Sequence, residues 1–379
     1  MMRLGYDLRP FLREETGVGV YVRNLLSHLS RIDTENEYFL FSASWKDRFP
    51  AAKLPRFERM QFRDLRFPVR ALNSLWYRWK RPSLDFFFGT ALDVTHSPTP
   101  LVLPTKGRKV VTVCDLFFME NPGKADREAR RFFFKKAAKS LEEADGVVAI
   151  SEFTRKAVLE RFRIDPDKVR TIRLGLDGFQ RKEAEPGELV EIRARLRLPS
   201  KFLLFVGAAE PRKNLGTLLE ALSIVHQRFG KIMLVIAGRE GGDSLNLRRR
   251  IAGSGLESWV KMTGYLSERD VRHLYRLASV FVYPSLCEGF GLPLIEAMAG
   301  RLPVASSSAA ALPEIGGDAA VYFRPDDPED MADKIVFLLS DESARLALVE
   351  AGERKSREFD WEKTAADTLA FYRFVLGRG

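Results

Sequence analysis

Two glutamates, Glu288 and Glu296, lie in the stretch of this 379-residue chain whose residue types most suggest chemistry. Glu288 falls in a glycine-bearing turn after the apolar run 278–283, which predicts a strand. Glu296 falls in a helix predicted to begin near Pro293. An acid among Leu, Ile, Ala and Met is costly unless it bonds a ligand or a partner. Both acids are therefore candidates for binding hydroxyl groups; the alternative is a helix-dipole acid at Glu296 and a solvated loop acid at Glu288.

The backbone around these acids is suited to an anion. The predicted order of strand, glycine turn, helix and strand points the helix N-terminus into a crevice, together with the backbone N–H groups of Phe290, Gly291 and Leu292. Such groups favour a phosphate. A phosphate site beside two carboxylates suggests recognition of a nucleotide-sugar.

Two adjacent cations, Arg212 and Lys213, follow another predicted strand, 202–207. At the start of a helix they add positive charge where N–H groups already point, which suits a diphosphate. The alternative is a solvated basic pair, which the flanking Glu-Pro and Asn-Leu make the weaker interpretation.

The chain contains the runs EPRKNL and PSLCEGFGLPLIEAMAGRLPVASS, which resemble the signature of retaining glycosyltransferases of family 4 (group 1). The resemblance covers nearly the whole chain. Within this family, the chain resembles the subgroup that includes bacterial O-antigen and capsule mannosyltransferases. It implies an α/β fold of the GT-B type, with two Rossmann-like, doubly wound domains facing across a cleft. It also implies that Arg212 and Lys213 bind the donor diphosphate, that Glu288 binds the hexose hydroxyls and that Glu296 binds the ribose hydroxyls.

The resemblance assigns further residues to the donor. Gly17 and Gly19 open a helix after the first strand and match a family loop that faces donor and acceptor; a glycine loop there can approach a diphosphate closely. Gly238, Tyr265 and Leu266 follow two later strands, where relatives form the pocket for the base.

Three residues are assigned by resemblance to the acceptor side: His96, Cys114 and Ser151. Ser151 is also the predicted N-cap of a helix. Relatives usually have His-Asp where this chain has Cys114 and Asp115, so the imidazole that contacts the sugar in relatives is missing and the identity of the sugar is open. Asp115 is retained and is counted as catalytic, with Glu288, Arg212 and Lys213.

Strands and helices alternate through both halves of the chain, which predicts two parallel sheets. We predict an N-terminal acceptor-binding domain over residues 1–178 and a C-terminal nucleotide-sugar-binding domain over 179–360. As in GT-B enzymes, the last helix, 361–379, is expected to cross back to the N-terminal domain.

Composition is that of an ordinary soluble protein, with 45% hydrophobic and 30% charged residues. The net charge of +10 is concentrated in residues 1–190, which carry 35 Lys and Arg against 26 Asp and Glu. Such a basic surface attracts phosphorylated substrates or anionic lipid; no motif favours nucleic acid. Two cysteines, no signal peptide and no apolar membrane span indicate a cytoplasmic protein, which could lie peripherally on the inner face of the membrane. No metal or other cofactor is expected, because no cluster of metal ligands is visible.

Two basic and aromatic segments stand out in the first half. In residues 56–82, Leu72, Leu75, Trp76 and Trp79 have helical spacing with arginines around them. This pattern predicts either a membrane-surface helix or a helix packed on the sheet with a solvated basic side. Residues 124–143 predict a second basic helix, near which a phosphate-bearing or lipid-linked acceptor could dock.

The predicted function is transfer of a hexose, with mannose from GDP-mannose as first choice, to a glycan or lipid-linked saccharide in cell-surface polysaccharide synthesis. A UDP- or dTDP-sugar-dependent transferase of the same fold and a non-catalytic nucleotide-sugar-binding subunit are the alternatives. A sugar phosphorylase or a nucleotide-sugar epimerase has no matching motif in the chain.

Overall fold

The computed structural model describes residues 1–12, 17–116, 127–176 and 186–377. The chain forms two compact units. The first unit comprises Met1–Gly175 with Asp360–Gly379, and the second comprises Leu176–Phe359. Among the described residues, no helix has both the length and the apolar character needed to cross a membrane.

The first unit is built on a parallel sheet. Its strands are β1 (Arg3–Asp7), β2 (Glu37–Ala43), β3 (Met60–Leu65), β4 (Val94–Ser97), β5 (Arg108–Val113), β6 (Gly146–Ala149) and β7 (Val169–Thr171). They are arranged in the order β3-β2-β1-β4-β5-β6-β7. Apolar runs such as Val110–Val113 are buried, as expected for parallel strands covered on both faces. The order reverses direction between β1 and β4, where ligands of doubly wound folds bind outside the carboxyl ends.

The helices of this unit follow the strands. They are α1 (Gly17–Ile32), α2 (Val69–Trp79), α3 (Leu84–Phe88), α4 (Arg127–Glu143) and α5 (Glu152–Arg161). Leu72 and Trp76 of α2 are buried in a cluster with aromatic side chains of β2. The helix is therefore packed on the sheet, and its exposed side carries Trp79, which is 61% exposed. Residues 124–126 of the second basic segment lie outside the described residues.

The second unit has its own parallel sheet. Its strands are β8 (Phe202–Val206), β9 (Met233–Ala237), β10 (Val260–Gly264), β11 (Val280–Tyr283), β12 (Val304–Ser307) and β13 (Val321–Phe323). Their order is β10-β9-β8-β11-β12-β13, so the direction reverses between β8 and β11. Loops after these two strands carry the cations and the first glutamate identified above.

Eight helices are described in the second unit. They are α6 (Pro186–Arg195), α7 (Leu215–Arg228), α8 (Ser244–Ala252), α9 (Glu268–Leu277), α10 (Leu292–Ala299), α11 (Leu312–Gly316), α12 (Pro328–Ser340) and α13 (Glu342–Ser356). Helix α10 begins at Leu292 with Pro293 in its first turn, as the sequence predicts. Gly291 before it has φ 103°, and a Cβ there would lie 2.8 Å from the side chain of Leu312. This turn therefore requires glycine.

The last helix, α14 (Trp361–Gly377), lies in the first unit and packs against α1. The hydroxyl of Tyr372 in this helix is 2.6 Å from that of Tyr6 on β1. Helix α14 is thus part of the core of the first unit.

Candidate functional site

One carboxylate in the second unit binds both cations that the sequence assigns to a diphosphate. Arg212 Nη1 donates to Glu288 Oε2 at 2.8 Å, and Lys213 Nζ donates to Glu288 Oε1 at 2.5 Å. Glu288 is only 8% exposed and Lys213 is buried as well. The three residues form a single charged cluster outside the carboxyl ends of β8 and β11, at the reversal point of this sheet.

Backbone geometry places the cations beside Glu288. Arg212 and Lys213 lie in a short helical turn, Pro211–Lys213, and its C-cap Asn214 has a left-handed φ of 56°. The Asn214 amide donates to the carbonyl oxygens of Pro284 and Pro325, at 3.2 Å and 2.6 Å. The loop after β8 is thereby fastened to the loop after β11, which carries Glu288.

The charges in this cluster determine its protonation. Burial by itself would raise the pKa of Glu288. The charges of Lys213 and Arg212 oppose this effect and lower the pKa to about 2. Burial also lowers the pKa of Lys213, with Glu288 opposing that effect. Glu288 is therefore ionised throughout the neutral range.

Two residues that the sequence did not single out also belong to the cluster. Glu210 Oε2 accepts from Arg212 Nε at 2.8 Å, so two carboxylates balance the two cations. Tyr283, the last residue of β11, accepts from Lys213 Nζ at 3.1 Å. The charge of Glu210 within the EPRKNL run is a sequence signal for this contact, whereas nothing in the sequence pairs Tyr283 with Lys213.

Glu296 has a different environment. It lies in the second turn of α10, and its Oε2 accepts from the Tyr275 hydroxyl of α9 at 3.0 Å. Burial raises the pKa of Glu296 to about 7, although the hydrogen bond from Tyr275 works against that rise. This carboxyl group therefore titrates near neutral pH.

The remaining donor-side residues of the second unit lie at strand ends. Gly238 follows β9, and a Cβ there would lie 2.1 Å from the carbonyl oxygen of Gly207, so the two loops approach too closely for any side chain. Tyr265 follows β10 and is 72% exposed, while Leu266 beside it is partly buried.

The turn before α10 is largely buried. The Phe290 ring packs edge-on against Phe359 at 5.6 Å between centroids. Its side chain is thus part of the core, and only its backbone is left for an anion. The predicted use of the N–H groups of Phe290, Gly291 and Leu292 stays a prediction.

In the first unit, the predicted residues follow β1, β5 and β6. Gly17 is exposed at the start of α1, with open space where a Cβ would lie, and Gly19 is buried. Cys114 and Asp115 follow β5 and are partly buried. Burial, with Asp115 adding to it, raises the pKa of the Cys114 thiol to about 12. Cys114 is therefore a neutral thiol and not a substitute for a basic imidazole.

Two of the predicted acceptor-side residues have structural roles. His96 is 1% exposed, with Nδ1 2.5 Å from the Tyr372 hydroxyl and Nε2 2.7 Å from Thr112 Oγ1. Burial lowers the pKa of His96 to about 3, so the ring is neutral. Ser151 is buried, and its Oγ accepts from the backbone N–H of Thr154 at 3.1 Å as the N-cap of α5. The polar atoms of His96 and Ser151 thus bond within the unit, and the predicted contacts of these residues with an acceptor stay predictions.

Metal ligands are not grouped in the described parts of the chain. Within residues 1–12, 17–116, 127–176 and 186–377, no three His, Cys, Asp or Glu side chains are placed to hold an ion. The expectation of metal-independent binding stays a prediction.

Two family models match the chain. "Glycosyltransferase Family 4" matches residues 16–177, and "Glycosyl transferases group 1" matches residues 191–355, which include the charged cluster. The chain belongs to the family 4 (group 1) glycosyltransferases and is a hexosyltransferase.

Individual relatives agree with this class. The chain is 27% identical to O-antigen chain mannosyltransferase B of Escherichia coli, over 99% of this chain and 100% of that protein. It is 33% identical to the serotype-specific mannosyltransferase WbdA of Escherichia coli, over 68% of this chain but only 32% of that longer protein.

Solved structures confirm the predicted GT-B fold. Sucrose-phosphate synthase from Thermosynechococcus elongatus has a TM-score of 0.74 at 20% identity and covers 100% of both chains. WaaG, a glycosyltransferase involved in lipopolysaccharide biosynthesis, has a TM-score of 0.76 at 16% identity, over 96% of this chain and 98% of that one. Both units are thus Rossmann-like domains of this fold.

Proposed function

We propose that this glycosyltransferase moves a mannosyl group from GDP-mannose to a glycan or lipid-linked saccharide, with retention at the anomeric carbon, in cell-surface polysaccharide synthesis. The observation that carries the proposal is the pairing of Arg212 and Lys213 with Glu288 in the unit matched by the group 1 model. This pairing supports the proposal, because the two cations proposed to bind the diphosphate lie next to an ionised carboxylate that can accept from hydroxyl groups.

In the proposed reaction, the bond between the anomeric carbon and the donor diphosphate breaks. An acceptor hydroxyl oxygen bonds that carbon on the same face, and its proton passes to the leaving diphosphate. Arg212 and Lys213 stabilise the negative charge that develops on this leaving group. Their contribution is electrostatic. Because Glu288 fixes both cations before the reaction, they need little reorganisation.

Glu288 can bind the sugar while it holds the cations. An ionised carboxylate has about four lone-pair positions, and Arg212 and Lys213 use one on each oxygen. The hydroxyls of Tyr283 and Ser285 also interact with Glu288. A hexose hydroxyl would donate to a position that these groups leave. A sugar bound there would have its anomeric carbon close to the cations that receive the diphosphate.

Glu296 would recognise the ribose. An ionised carboxylate can accept from two vicinal hydroxyls with both oxygens, whereas a protonated carboxyl group uses one oxygen as a donor. Since the pKa of Glu296 is raised to about 7, the ionised form increases through the neutral range. Ribose binding should therefore strengthen as pH rises from 6 to 8.

Mannose is preferred as the transferred sugar because the relative that aligns over its full length is a mannosyltransferase. Two phosphatidyl-myo-inositol mannosyltransferases of mycobacteria are also similar, at 32% and 33% identity over 47% of this chain. A UDP-sugar is the other candidate donor; the structural neighbour HepE was solved with UDP and glucose.

The proposed location is the cytoplasm, with peripheral contact between the first unit and an anionic membrane. The exposed Trp79 and the basic residues that follow it, Lys80 and Arg81, support such a contact. Aromatic and basic side chains together favour the interface of an anionic bilayer.

The first test is a thermal-shift panel of GDP, UDP, dTDP and ADP without added metal. A ligand at 100 times its Kd stabilises a protein by about 2.7 kcal/mol, which gives a measurable shift. A shift with GDP alone supports GDP-mannose as the donor. A shift with UDP or dTDP alone contradicts GDP-mannose and favours a UDP- or dTDP-sugar as the donor. No shift with any nucleotide contradicts the nucleotide site.

Transfer itself is measured with GDP-mannose and mannose-terminated acceptors, and NMR of the product gives the anomeric configuration. An α-linked product from the α-configured donor supports retention, and a β-linked product contradicts it. Donor binding without transfer to these acceptors would contradict the proposed acceptor.

A further inference from the structure

A cavity of about 230 Å³ in the first unit is lined by five lysines. It lies between the C-terminal halves of α2 and α4 and the segment that precedes β5. Among the described residues, the lining charges are one carboxylate, Glu143, and five lysines: Lys80, Lys109, Lys135, Lys136 and Lys139. Within this described lining, lysines therefore outnumber carboxylates five to one.

Glu143 forms ion pairs with two of these lysines. It forms an ion pair with Lys80, and its Oε1 lies 4.0 Å from Lys139 Nζ. The Lys136 ammonium lies 4.0 Å from the centroid of the Tyr77 ring, a cation–π contact on the cavity wall. One shared carboxylate leaves a large excess of positive charge in a concave site, which concentrates anions.

The cavity is separate from the residues assigned to transfer. Lys109 is the second residue of β5, whereas Cys114 and Asp115 follow its last residue. Five residues of extended strand span about 16 Å at about 3.3 Å per residue. Helices α2 and α4 also end beside the cavity, at Trp79 and Glu143. It thus lies toward the amino-terminal edge of the sheet, opposite the edge where doubly wound folds bind their substrates.

A wider groove of about 1140 Å³ continues from the cavity. The two share Lys80, Pro104 and Lys109. The groove is also lined by Trp79 and Phe86, which are 61% and 72% exposed. Large apolar side chains that remain exposed beside a cluster of cations suit a ligand with both an apolar and an anionic part.

We propose that the cavity and groove bind a lipid phosphate, that is, a phosphate or diphosphate ester of an apolar chain. The anion lies among Lys80, Lys109 and Lys136, and the chain lies along Trp79 and Phe86. Lysine binds phosphate as a point charge without a fixed geometry, so a group of lysines accepts either a mono- or a diphosphate. The site lies in the first unit, and the inference does not depend on the proposed donor.

The test is isothermal titration of the full chain with farnesyl diphosphate, inorganic pyrophosphate and farnesol. We expect farnesyl diphosphate to bind at least tenfold more tightly than either of the other two probes, because only it fills both parts of the site. Equal affinity for pyrophosphate would show a site for free phosphate only and would overturn the proposal.

Variants locate the binding. Lys109→Gln with Lys136→Gln should weaken farnesyl diphosphate binding at least tenfold, because both lysines belong to the proposed anion site. The matched control, Lys46→Gln with Lys156→Gln, removes the same charge from exposed lysines of the same unit and should leave the affinity unchanged. Equal losses in both double variants would mean that only net charge attracts the probe, which contradicts a built site.

Two further variants separate this site from the other diphosphate site and test the groove. Arg212→Ala should retain farnesyl diphosphate binding. If this variant no longer bound farnesyl diphosphate, the probe would be assigned to the second unit and the proposal would be overturned. Trp79→Ala with Phe86→Ala should weaken farnesyl diphosphate binding and leave the pyrophosphate affinity unchanged. Unchanged affinity for both probes would contradict the role of the groove. Circular dichroism and Tm establish that each variant is folded.

Discussion

Glu288 holds two buried or half-buried cations in place, so its neutral replacement should destabilise the second unit. Breaking a buried ion pair by removal of one partner costs about 3–5 kcal/mol, because the other charge is left uncompensated. We expect a loss of this size for Glu288→Gln, measured as the free energy of unfolding at pH 7. Glu257→Gln, at an exposed position, is the control and should change little.

The same substitution has a predicted pH dependence. The pKa of Glu288 is lowered from 4.5 to about 2 in the folded protein. A carboxyl group with a lowered pKa stabilises the fold at pH values above its pKa in the unfolded protein. This contribution disappears as pH falls through its pKa in the folded protein. The advantage of the wild type over Glu288→Gln should therefore shrink between pH 4.5 and 2. A difference that stays constant over this interval would show that the ion pairs do not stabilise the fold.

Arg212 and Lys213 should be needed for turnover rather than for folding alone. Removal of one donor that stabilises developing negative charge lowers the rate by about 10²–10³-fold. We expect Arg212→Ala and Lys213→Ala each to lower kcat by at least about 10²-fold, measured by transfer to acceptor. Lys201→Ala is the control, since this exposed lysine precedes β8. Unchanged turnover in folded Arg212→Ala and Lys213→Ala proteins would remove the diphosphate assignment.

Glu296 should give the stability of the fold a pH dependence near neutrality. Its pKa is raised from 4.5 to about 7, so the folded protein favours the protonated form. Stability from this group is present below pH 4.5 and is lost as pH rises through about 7. Wild type should lose stability relative to Glu296→Gln over that interval, as followed by Tm.

Nucleotide affinity should change in the opposite sense. It should increase in the wild type between pH 6 and 8, as the carboxylate forms, and stay flat in Glu296→Gln. A titration of the bound nucleotide at several pH values distinguishes the two proteins. The same slope in both would show that Glu296 does not bind the ribose.

At the scale of elements, the loops after β8 and β9 approach each other at two glycines. A Cβ on Gly238 would lie 2.1 Å from the carbonyl oxygen of Gly207, and backbone cannot move away as a flexible side chain can. We expect Gly238→Ala to destabilise the protein by about 2–4 kcal/mol, measured by denaturant unfolding. Gly242→Ala in the next loop is a matched control, because no atom lies within 4 Å of its added Cβ. Equal stability of the two variants would contradict this close approach.

For the molecule as a whole, Tyr372 joins the two ends of the chain within the first unit. Its hydroxyl lies 2.6 Å from that of Tyr6 and 2.5 Å from His96 Nδ1, and all three side chains are buried. Tyr372→Phe leaves two buried polar groups without this partner, at a cost of about 1–3 kcal/mol. The free energy of unfolding should fall by this amount, while the exposed Glu362→Gln in the same helix should change little. A Phe variant as stable as the wild type would mean that the hydrogen bonds of Tyr372 contribute nothing.

Local sequence was sufficient for much of the fold. Helix α10 begins where Pro293 and the glycine turn predict it, because proline and glycine constrain the backbone by themselves. Alternating strands and helices predicted parallel sheets, and the EPRKNL and PSLCEGFGLPLIEAM runs identified the family. Charged residues of the candidate site were also visible, because buried strands and their flanking loops have recognisable compositions.

Only the tertiary structure decided which side chains meet. Arg212 and Glu288 are 76 positions apart and come together because β8 and β11 are neighbours in the sheet. The Nδ1 atom of His96 lies 2.5 Å from the hydroxyl of Tyr372, 276 positions away, and the assignment of His96 to the acceptor side by resemblance did not include this contact. The lysine cavity likewise requires α2, α4 and β5 to pack together. Residue type and spacing determined the chemistry available to this protein, whereas strand order and helix packing, which depend on contacts distant in the chain, determined where that chemistry is assembled.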